Sequence, residues 1–297
     1  MNAPRTSPDL VRRLVAAQFP RWRGLPVEAV GGAGTANAVY RLGSDLAVRL
    51  PLGEGAARDV AKERRWLPRL AEVSPLAVPE VRAQGEPGEG FPWTWAVHSW
   101  LDGVPPVPGE LREPAGVARE LAAFVTALRG LDPAGAPPAH RAEPLAARDA
   151  ETREAAAELR DVLEPSVADA VWSAALDAAR QDVEPVWLHS DLQPGNLLLG
   201  GDRLTGVIDF GCLGAGDPAV DLIPAWYVLP AAARPVFRAA VGADDAAWAR
   251  GRGWALSIAL AELRGYRTAN PRMAAIATHV LGEIGADSAA DGTIAPR

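Results

Sequence analysis

The sequence predicts an α+β fold in which a small lobe built on an antiparallel sheet precedes a larger, mainly helical lobe. Short apolar runs separated by glycine turns concentrate between residues 27 and 99, and three-to-four helical spacing dominates after residue 103. The composition changes at Leu101-Asp102-Gly103-Val104-Pro105-Pro106, the expected boundary. We therefore expect two domains, 1–102 and 103–297, with a ligand cleft between them.

The elements of the first lobe follow from local patterns. Ser7-Pro8 before apolar residues at helical spacing predicts a capped helix, with proline in its first turn. Gly43-Ser44-Asp45 predicts a hairpin between strands 39–42 and 46–50. Residues 56–71 predict a helix that Pro68 kinks or ends. Further strands are expected at 27–30, 81–84 and 93–99.

The second lobe is expected to be mainly helical. Periodicity predicts helices over 115–131, 145–161 and 166–180, short strands within 186–210, and helices again to about residue 285. The small, polar tail from residue 286 is expected to fray.

Composition excludes several classes of protein. Hydrophobic residues make up 48% of the 297 residues and charged residues 23%, which is typical of a globular chain. A net charge of −7 without a basic cluster argues against a nucleic-acid partner. Cys212 is the only cysteine, so no intramolecular disulfide can form. Neither a signal peptide nor a membrane-spanning stretch is apparent, so we expect a cytoplasmic protein without a membrane partner.

The chemistry is concentrated in two motifs. His189-Ser190-Asp191-Leu192-Gln193-Pro194-Gly195-Asn196 has the form H-x-D-x-x-x-x-N, and Asp209-Phe210-Gly211 follows after a predicted hairpin. A carboxylate and an amide oxygen, here from Asp209 and Asn196, are hard ligands suited to Mg²⁺. Asp191 can orient an attacking hydroxyl. This grouping suits phosphoryl transfer, whereas the simpler alternative is a set of polar residues that caps a hairpin.

These motifs resemble the catalytic core of the aminoglycoside phosphotransferase family, whose fold is similar to that of protein kinases. The resemblance extends over about residues 25–285 and implies a protein-kinase-like two-lobe fold. It implies that Asp191 is the catalytic base and that Asn196 and Asp209 bind the metal. It also implies that His189 packs the catalytic loop and that Asp221, in Asp217-Pro218-Ala219-Val220-Asp221-Leu222, supports it. Helix capping explains Asp217 equally well.

The resemblance also places a nucleotide site in the first lobe. Arg49 stands where kinases have a phosphate-binding lysine, and Glu63 would orient it; an exposed strand arginine is the alternative. Gly32 and Gly34 would lie in a loop near phosphates, although an ordinary hairpin turn also fits them. The nucleobase of ATP or GTP would bind backbone groups near Ser99 and Leu101.

Two lengths favour a small-molecule acceptor over a protein. Only five residues lie between Gly211 and Asp217, which is too short for a peptide-binding activation segment. The 85 residues between Gly103 and His189 leave room for helices that shape a pocket. A cationic aminoglycoside would need carboxylates, and Trp226 and Glu262 are candidates. A solvated helix face explains Glu262 equally well.

Three functions therefore compete. The leading one is an antibiotic phosphotransferase that acts as a monomer or homodimer on an aminoglycoside or another antibiotic. A kinase for a metabolite, such as a sugar or a choline- or homoserine-like alcohol, has the same requirements. A catalytically weak nucleotide-binding regulator would explain Arg49 and the imperfect glycine loop. A nucleic-acid or protein-interaction module is disfavoured by charge and by the lack of repeats.

Overall fold

A computed structural model describes residues 5–31, 36–179 and 183–290. The predicted α+β class is confirmed. The chain divides into two compact units. The first contains Met1–Gly103 together with Thr205–Gly211, and the second contains Val104–Leu204 and Cys212–Arg297. The assignment of Thr205–Gly211, which includes Asp209, to the first unit was not anticipated from the sequence.

The first unit is built on a five-stranded antiparallel sheet. Its strands are β1 (Val27–Ala29), β2 (Asn37–Leu42), β3 (Leu46–Pro51), β4 (Val81–Gly85) and β5 (Trp95–Ser99). Their spatial order is β1-β2-β3-β5-β4. The predicted hairpin is confirmed by the pairing of β2 with β3, and Gly43 begins its turn with φ +63°. A positive φ suits glycine because it has no Cβ.

Helix α1 (Pro8–Gln18) supplies apolar residues to the core of this sheet. As predicted, Ser7 caps it: its hydroxyl accepts a hydrogen bond from the Leu10 amide at 3.2 Å. Helix α2 (Glu54–Val73) passes through Pro68 instead of ending there. Proline removes one hydrogen bond, and burial of Leu70 beyond it helps to keep the last turn in place.

The second unit is mainly helical, as predicted. Apart from short 3₁₀ turns, its described helices are α3 (Pro114–Arg129), α4 (Asp149–Glu158), α5 (Pro165–Ala178), α6 (Pro224–Tyr227), α7 (Arg234–Val241), α8 (Asp245–Tyr266) and α9 (Pro271–Ala290). The helix predicted over 145–161 is shorter than expected: a 3₁₀ turn over Leu145–Arg148 precedes α4, which ends at Glu158. Helix α9 extends to Ala290, so residues 286–290 of the tail are helical, and the rest of the tail that was expected to fray, 291–297, lies outside the described residues. Apolar burial up to Ile284 stabilises α9 close to its end.

Short strands in the chain between α5 and α6 carry the predicted motifs. Strand β6 (Val186–Leu188) pairs with β9 (Gly214–Gly216), and β7 (Leu197–Gly200) pairs with β8 (Arg203–Val207). Strand β9 was not predicted because Gly-Ala-Gly has low strand propensity. None of the described helices is both long and apolar enough to cross a lipid bilayer.

Helices α5 and α8 approach each other at a glycine. A Cβ added to Gly253 would lie 2.3 Å from Ala175 Cβ, so the helices would have to move apart. We expect Gly253→Ala to lower the free energy of unfolding by about 1–3 kcal/mol. The matched control is Gly282→Ala on α9, where no atom lies within 4 Å; it should stabilise by about 0.5–1 kcal/mol. Urea unfolding measures both changes, and equal effects would contradict this packing.

Candidate active site

The loop after β6 is held by one buried carboxylate. Asp221 is completely buried and accepts hydrogen bonds from the backbone amides of His189, at 2.8 Å, and Ser190, at 2.7 Å. Burial raises the pKa of Asp221, although these bonds and nearby positive charge act in the opposite direction. Ser190 has φ +69°, a conformation that costs energy outside glycine. The two bonds from Asp221 hold this strained backbone in place.

The strained loop presents Asp191, whose carboxylate has three donors. Asn196 Nδ2 lies 2.8 Å from Oδ2, while Arg141 Nη1 at 3.1 Å and Gln193 Nε2 at 3.3 Å approach Oδ1. Asn196 Nδ2 also donates to the Asp191 carbonyl at 2.8 Å. Both bonds of Asn196 use its amide nitrogen. Its Oδ1 atom therefore accepts no hydrogen bond from the described residues and could bind a cation.

His189 is fully buried and serves the same loop. Its Nδ1 atom accepts a hydrogen bond from the Asp191 amide at 3.2 Å, and its ring meets Phe124 edge-on. Asp217, for which capping was the alternative, accepts from the Ala219 amide at 2.9 Å and caps a 3₁₀ turn. Asp217 also pairs with Arg250 at 2.8 Å.

Arg141 was not among the site residues predicted from the sequence. It lies between α3 and α4, outside any motif, and its side chain is only 13% exposed. Besides contacting Asp191, its Nη1 atom donates to the Ser190 carbonyl. Burial is the largest single influence and lowers the pKa of Arg141, but the charges of Asp191 and of the other acidic groups around it together raise the pKa more, so the net shift is upward. Arg141 thus stays cationic beside the predicted base.

Glu262 on α8 extends this network away from Asp191. Its Oε1 atom accepts from Gln193 Nε2 at 2.5 Å, and its Oε2 atom accepts from the Tyr227 hydroxyl at 2.9 Å. Burial raises the pKa of Glu262 to about 7, with repulsion from Asp191 adding to the effect. Glu262 is therefore not on a freely solvated helix face.

Trp226, the other candidate for acceptor binding, occupies a different environment. It is fully buried, its indole N–H donates to Asp287 at 2.9 Å, and its ring packs 4.9 Å from that of Trp248. Its place is in the core of the second unit, so it is a packing residue and is left out of the proposed site. Its neighbour Tyr227 makes the contact to Glu262 instead.

In the first unit, Arg49 bridges two carboxylates. Its Nη1 atom lies 2.6 Å from Glu63 Oε1, and its Nη2 atom lies 2.5 Å from Asp209 Oδ1. Burial is the largest single influence and would raise the pKa of Glu63, but the charges and hydrogen bonds of Arg49 and His98 together lower it to about 2. Burial likewise opposes the charged form of Arg49, yet the attraction of Asp209 and Glu63 raises its pKa. Arg49 is therefore not an exposed strand residue.

Asp209 is brought to this bridge by its own short segment. The backbone of Ala77 bonds Thr205 and Val207, which fixes the segment in the first unit. Asp209 has φ +60°, and only three non-glycine residues in the described ranges, Glu89, Ser190 and Asp209, have positive φ. Two of the three therefore lie in the two predicted motifs. Such strained positions are concentrated at functional sites.

The remaining nucleotide-site predictions differ in their outcome. The Ser99 amide donates to the Glu80 carbonyl at 2.9 Å, so this N–H is not free to bind a base. In the described part of the chain, the Leu101 backbone has no hydrogen-bond partner, and it remains a candidate. Gly32 and Gly34 lie outside the described residues.

Comparisons with known proteins identify the family and the fold of the chain. The model of a family described as "APH: Phosphotransferase enzyme family" matches residues 28–254. No curated protein matches the sequence significantly. The chain shares its fold with the GDP and kanamycin complex of APH(2")-IIIa, at a TM-score of 0.71 and 20% identity, covering 93% of this chain and 98% of that one.

Two further structures share the fold. The macrolide 2'-phosphotransferase MphH from Brachybacterium faecium superposes with a TM-score of 0.60 at 22% identity, covering 92% of this chain and 97% of that one. The streptomycin–ATP complex of APH(2")-IIa gives a TM-score of 0.57 at 14% identity, covering 94% and 96%. The predicted kinase-like fold is confirmed. Because the family model covers well over half of the sequence, including both motifs, the chain belongs to the phosphotransferase enzyme family.

Proposed function

We propose that the protein transfers the terminal phosphoryl group of ATP or GTP to a hydroxyl group of a small molecule, with an antibiotic, and first an aminoglycoside, as the acceptor. The observation that carries this proposal is the Asp191–Asn196 pair on a strained loop fixed by Asp221. Asp209 lies in the first unit and the pair lies in the second. Their joint action on one nucleotide is part of the proposal.

Asp191 accepts a hydrogen bond from the acceptor hydroxyl and receives its proton during transfer. In phosphoryl transfer the protein mainly positions the reactants and neutralises charge, so a well-oriented carboxylate is more useful than a strong base. Three donors already hold this carboxylate in place. That arrangement suits a group that must meet the hydroxyl in one geometry.

The residues present fit a magnesium ion with phosphate ligands. Within the described ranges, no group of three or more His, Cys, Asp or Glu side chains is arranged to hold a metal. Mg²⁺ commonly uses one or two protein oxygens and completes its shell with phosphate and water. Asn196 Oδ1 and the Asp209 carboxylate are such oxygens. When bound, the ion would neutralise charge on the transferred group.

Arg49, oriented by Glu63, would hold the nucleotide phosphates, and the free Leu101 backbone would meet the base. Glu63 and Asp209 each fix one arm of the Arg49 guanidinium, and the remaining N–H groups of this planar fork would meet the phosphate oxygens. Proteins of the same fold have been solved with GDP and with ATP, which supports a purine nucleotide as donor. The choice between ATP and GTP stays open in the proposal.

The identity of the acceptor rests on the relatives and on Glu262. Among proteins with this fold are one solved with kanamycin, one solved with streptomycin and a macrolide 2'-phosphotransferase, which supports an antibiotic acceptor. Glu262 reaches Asp191 through Gln193, so it is well placed to bind a polar group of the acceptor. A sugar or another metabolite alcohol would fit the same residues. A cytoplasmic location and a monomeric or homodimeric state stay predictions.

One observation favours the regulatory alternative. Arg49 donates to Asp209, so a proposed metal ligand is already paired with a guanidinium. A protein that binds nucleotide with little turnover would show a thermal shift with magnesium nucleotide, but no acceptor-dependent release of nucleoside diphosphate.

The central test measures ADP or GDP release across a panel of aminoglycosides, macrolides, sugars and amino alcohols. We expect at least one acceptor to accelerate release, and Asp191→Ala to lower kcat by about 10²- to 10⁴-fold because the general base is lost. Nucleotide binding should persist. Asp169→Ala, an exposed carboxylate on α5, serves as the control and should match the wild type. If Asp191→Ala retained full kcat, the proposed function would be wrong.

The metal assignment predicts a separate effect. Asp209→Asn should raise the Mg²⁺ concentration needed for half-maximal nucleotide binding by about tenfold or more, because a charged oxygen ligand is lost. Titration of Mg²⁺ against a fluorescent nucleotide measures this. Asp202→Asn, in the turn between β7 and β8, should require the same Mg²⁺ as the wild type. A similar requirement in all three proteins would exclude Asp209 as a metal ligand.

Glu262 predicts how stability depends on pH. Its pKa rises from 4.5 to about 7 on folding, so between these values the folded protein retains a proton that the unfolded chain releases. Stability therefore falls as pH increases from about 4.5 to about 7, by at most about 3 kcal/mol, and this contribution is constant above that range. Glu262→Gln should remove this slope.

Urea unfolding of wild type and Glu262→Gln at about pH 5 and about pH 8 measures the difference. Tyr227→Phe provides a second variant, because loss of its hydrogen bond should raise the pKa of Glu262 further and extend the decline to higher pH. If the free energy of unfolding of Glu262→Gln and of wild type changed equally between these pH values, the prediction of a raised pKa for Glu262 would be wrong.

A further inference from the structure

We propose that Arg141 is a positioning residue that locks the Asp191 carboxylate, so that Oδ2 is the atom that meets the acceptor hydroxyl. This inference rests on the proposed function and assigns a new residue to the same site. Arg141 is neither part of the H-x-D-x-x-x-x-N motif nor close to it in sequence. It reaches Asp191 from the segment between α3 and α4, fifty residues away along the chain.

The segment that carries Arg141 is fixed to the strand pair that carries the catalytic loop. The Ala139 amide donates to the Ala215 carbonyl at 3.0 Å, and the Ala215 amide donates to the Pro137 carbonyl at 2.8 Å. The segment thus adds to β9, which pairs with β6, and β6 leads directly to Asp191. These backbone hydrogen bonds hold the chain next to Arg141 in a fixed position, so the Arg141 side chain extends from an ordered backbone.

Gly214 makes this attachment sterically feasible. A Cβ at position 214 would lie 2.4 Å from the Ala139 nitrogen and 2.5 Å from the Pro138 carbonyl carbon. Any larger residue would therefore push the segment away. The Gly-Ala-Gly sequence of β9, unfavourable for a strand by itself, permits the close backbone approach that seats Arg141.

The hydrogen bonds of Asp191 distinguish its two oxygens. Each carboxylate oxygen has two acceptor sites in the carboxylate plane. Arg141 and Gln193 occupy both sites of Oδ1, whereas Asn196 occupies one site of Oδ2. In the described part of the chain, no other residue donates to Oδ2. The remaining site of Oδ2 is therefore the one open to a hydroxyl.

Arg141 is also the only full charge among these three donors, and its Nη1 atom simultaneously binds the Ser190 carbonyl. It therefore ties the carboxylate to the strained backbone next to it. As the hydroxyl oxygen bonds to the terminal phosphorus and the bond to the nucleoside diphosphate breaks, the hydroxyl proton moves to Oδ2. A carboxylate that could rotate would meet the hydroxyl in this geometry less often.

The test compares Arg141→Ala with wild type in the presence of the acceptor found in the panel, or with water as acceptor if nucleotide hydrolysis is the only turnover. We expect kcat to fall by about 10- to 100-fold, the range for loss of a charge-assisted hydrogen bond, with KM for the nucleotide unchanged. Added guanidinium chloride at low millimolar concentration should restore part of kcat, with potassium chloride as the salt control. Arg141→Gln provides a second variant if Arg141→Ala fails to fold.

Arg148→Ala is the matched control. Arg148 is similarly buried in the following turn and binds Ser257 and Glu143 instead of Asp191. Arg148→Ala should have the kcat of the wild type, and added guanidinium should not raise it. Crystal structures of wild type and Arg141→Ala add a readout independent of turnover: the variant should show the Asp191 carboxylate in more than one orientation.

Several outcomes would overturn the proposal. A wild-type kcat in Arg141→Ala would show that the contact is dispensable, and an increased kcat would identify it as inhibitory. A loss that guanidinium does not reverse, with Asp191 still in one orientation, would assign Arg141 to folding alone. Asp191→Ala distinguishes these results from failure of the proposed function, since full activity in that variant would remove Asp191 from catalysis altogether.

Discussion

The loop that carries Asp191 depends on the buried carboxylate of Asp221. A fully buried carboxylate is costly unless its oxygens are satisfied, and here both accept backbone amides from successive residues, His189 and Ser190. The same two bonds hold Ser190 in a left-handed conformation, which directs the following Asp191 side chain. Loss of Asp221 would thus leave two buried amides unpaired and release the strain. The position of the proposed base is therefore set by a residue thirty positions further along the chain.

In each unit, the aspartate that we propose as functional pairs with an arginine. Arg141 contacts Asp191 in the second unit, and Arg49 contacts Asp209 in the first. Both guanidiniums are largely buried, so these ion pairs are screened less than surface pairs. Each arginine also binds a second group, the Ser190 carbonyl or Glu63, which fixes its orientation. The carboxylates are therefore held in place before any ligand arrives.

The sequence was most informative where a local pattern determines the structure. The Ser7 cap, the Gly43 hairpin and most helices follow from interactions within a few residues. The two motifs identified Asp191, Asn196 and Asp209, and the structure shows Asn196 bonded to Asp191. The sequence could not identify Arg141, because its role depends on the attachment of its segment to β9 through contacts distant in sequence. The sequence could not show that Trp226 is buried in the core, because a tryptophan in an apolar helix looks the same whether it lines a pocket or fills a core.

Position 49 holds an arginine where protein kinases have a phosphate-binding lysine. The structure gives this difference a physical interpretation that the sequence alone did not provide. A lysine carries one compact ammonium group, whereas the arginine fork has two terminal nitrogens that point in defined directions. Arg49 uses one for Glu63 and the other for Asp209, so one side chain links helix α2 to the Asp209 segment. Asp209 keeps its Oδ2 atom free of hydrogen bonds from the described residues. Arginine at this position therefore orders Asp209 through one oxygen and leaves the other available to the proposed cation. An ammonium group bound to Glu63 could reproduce this arrangement only with looser geometry.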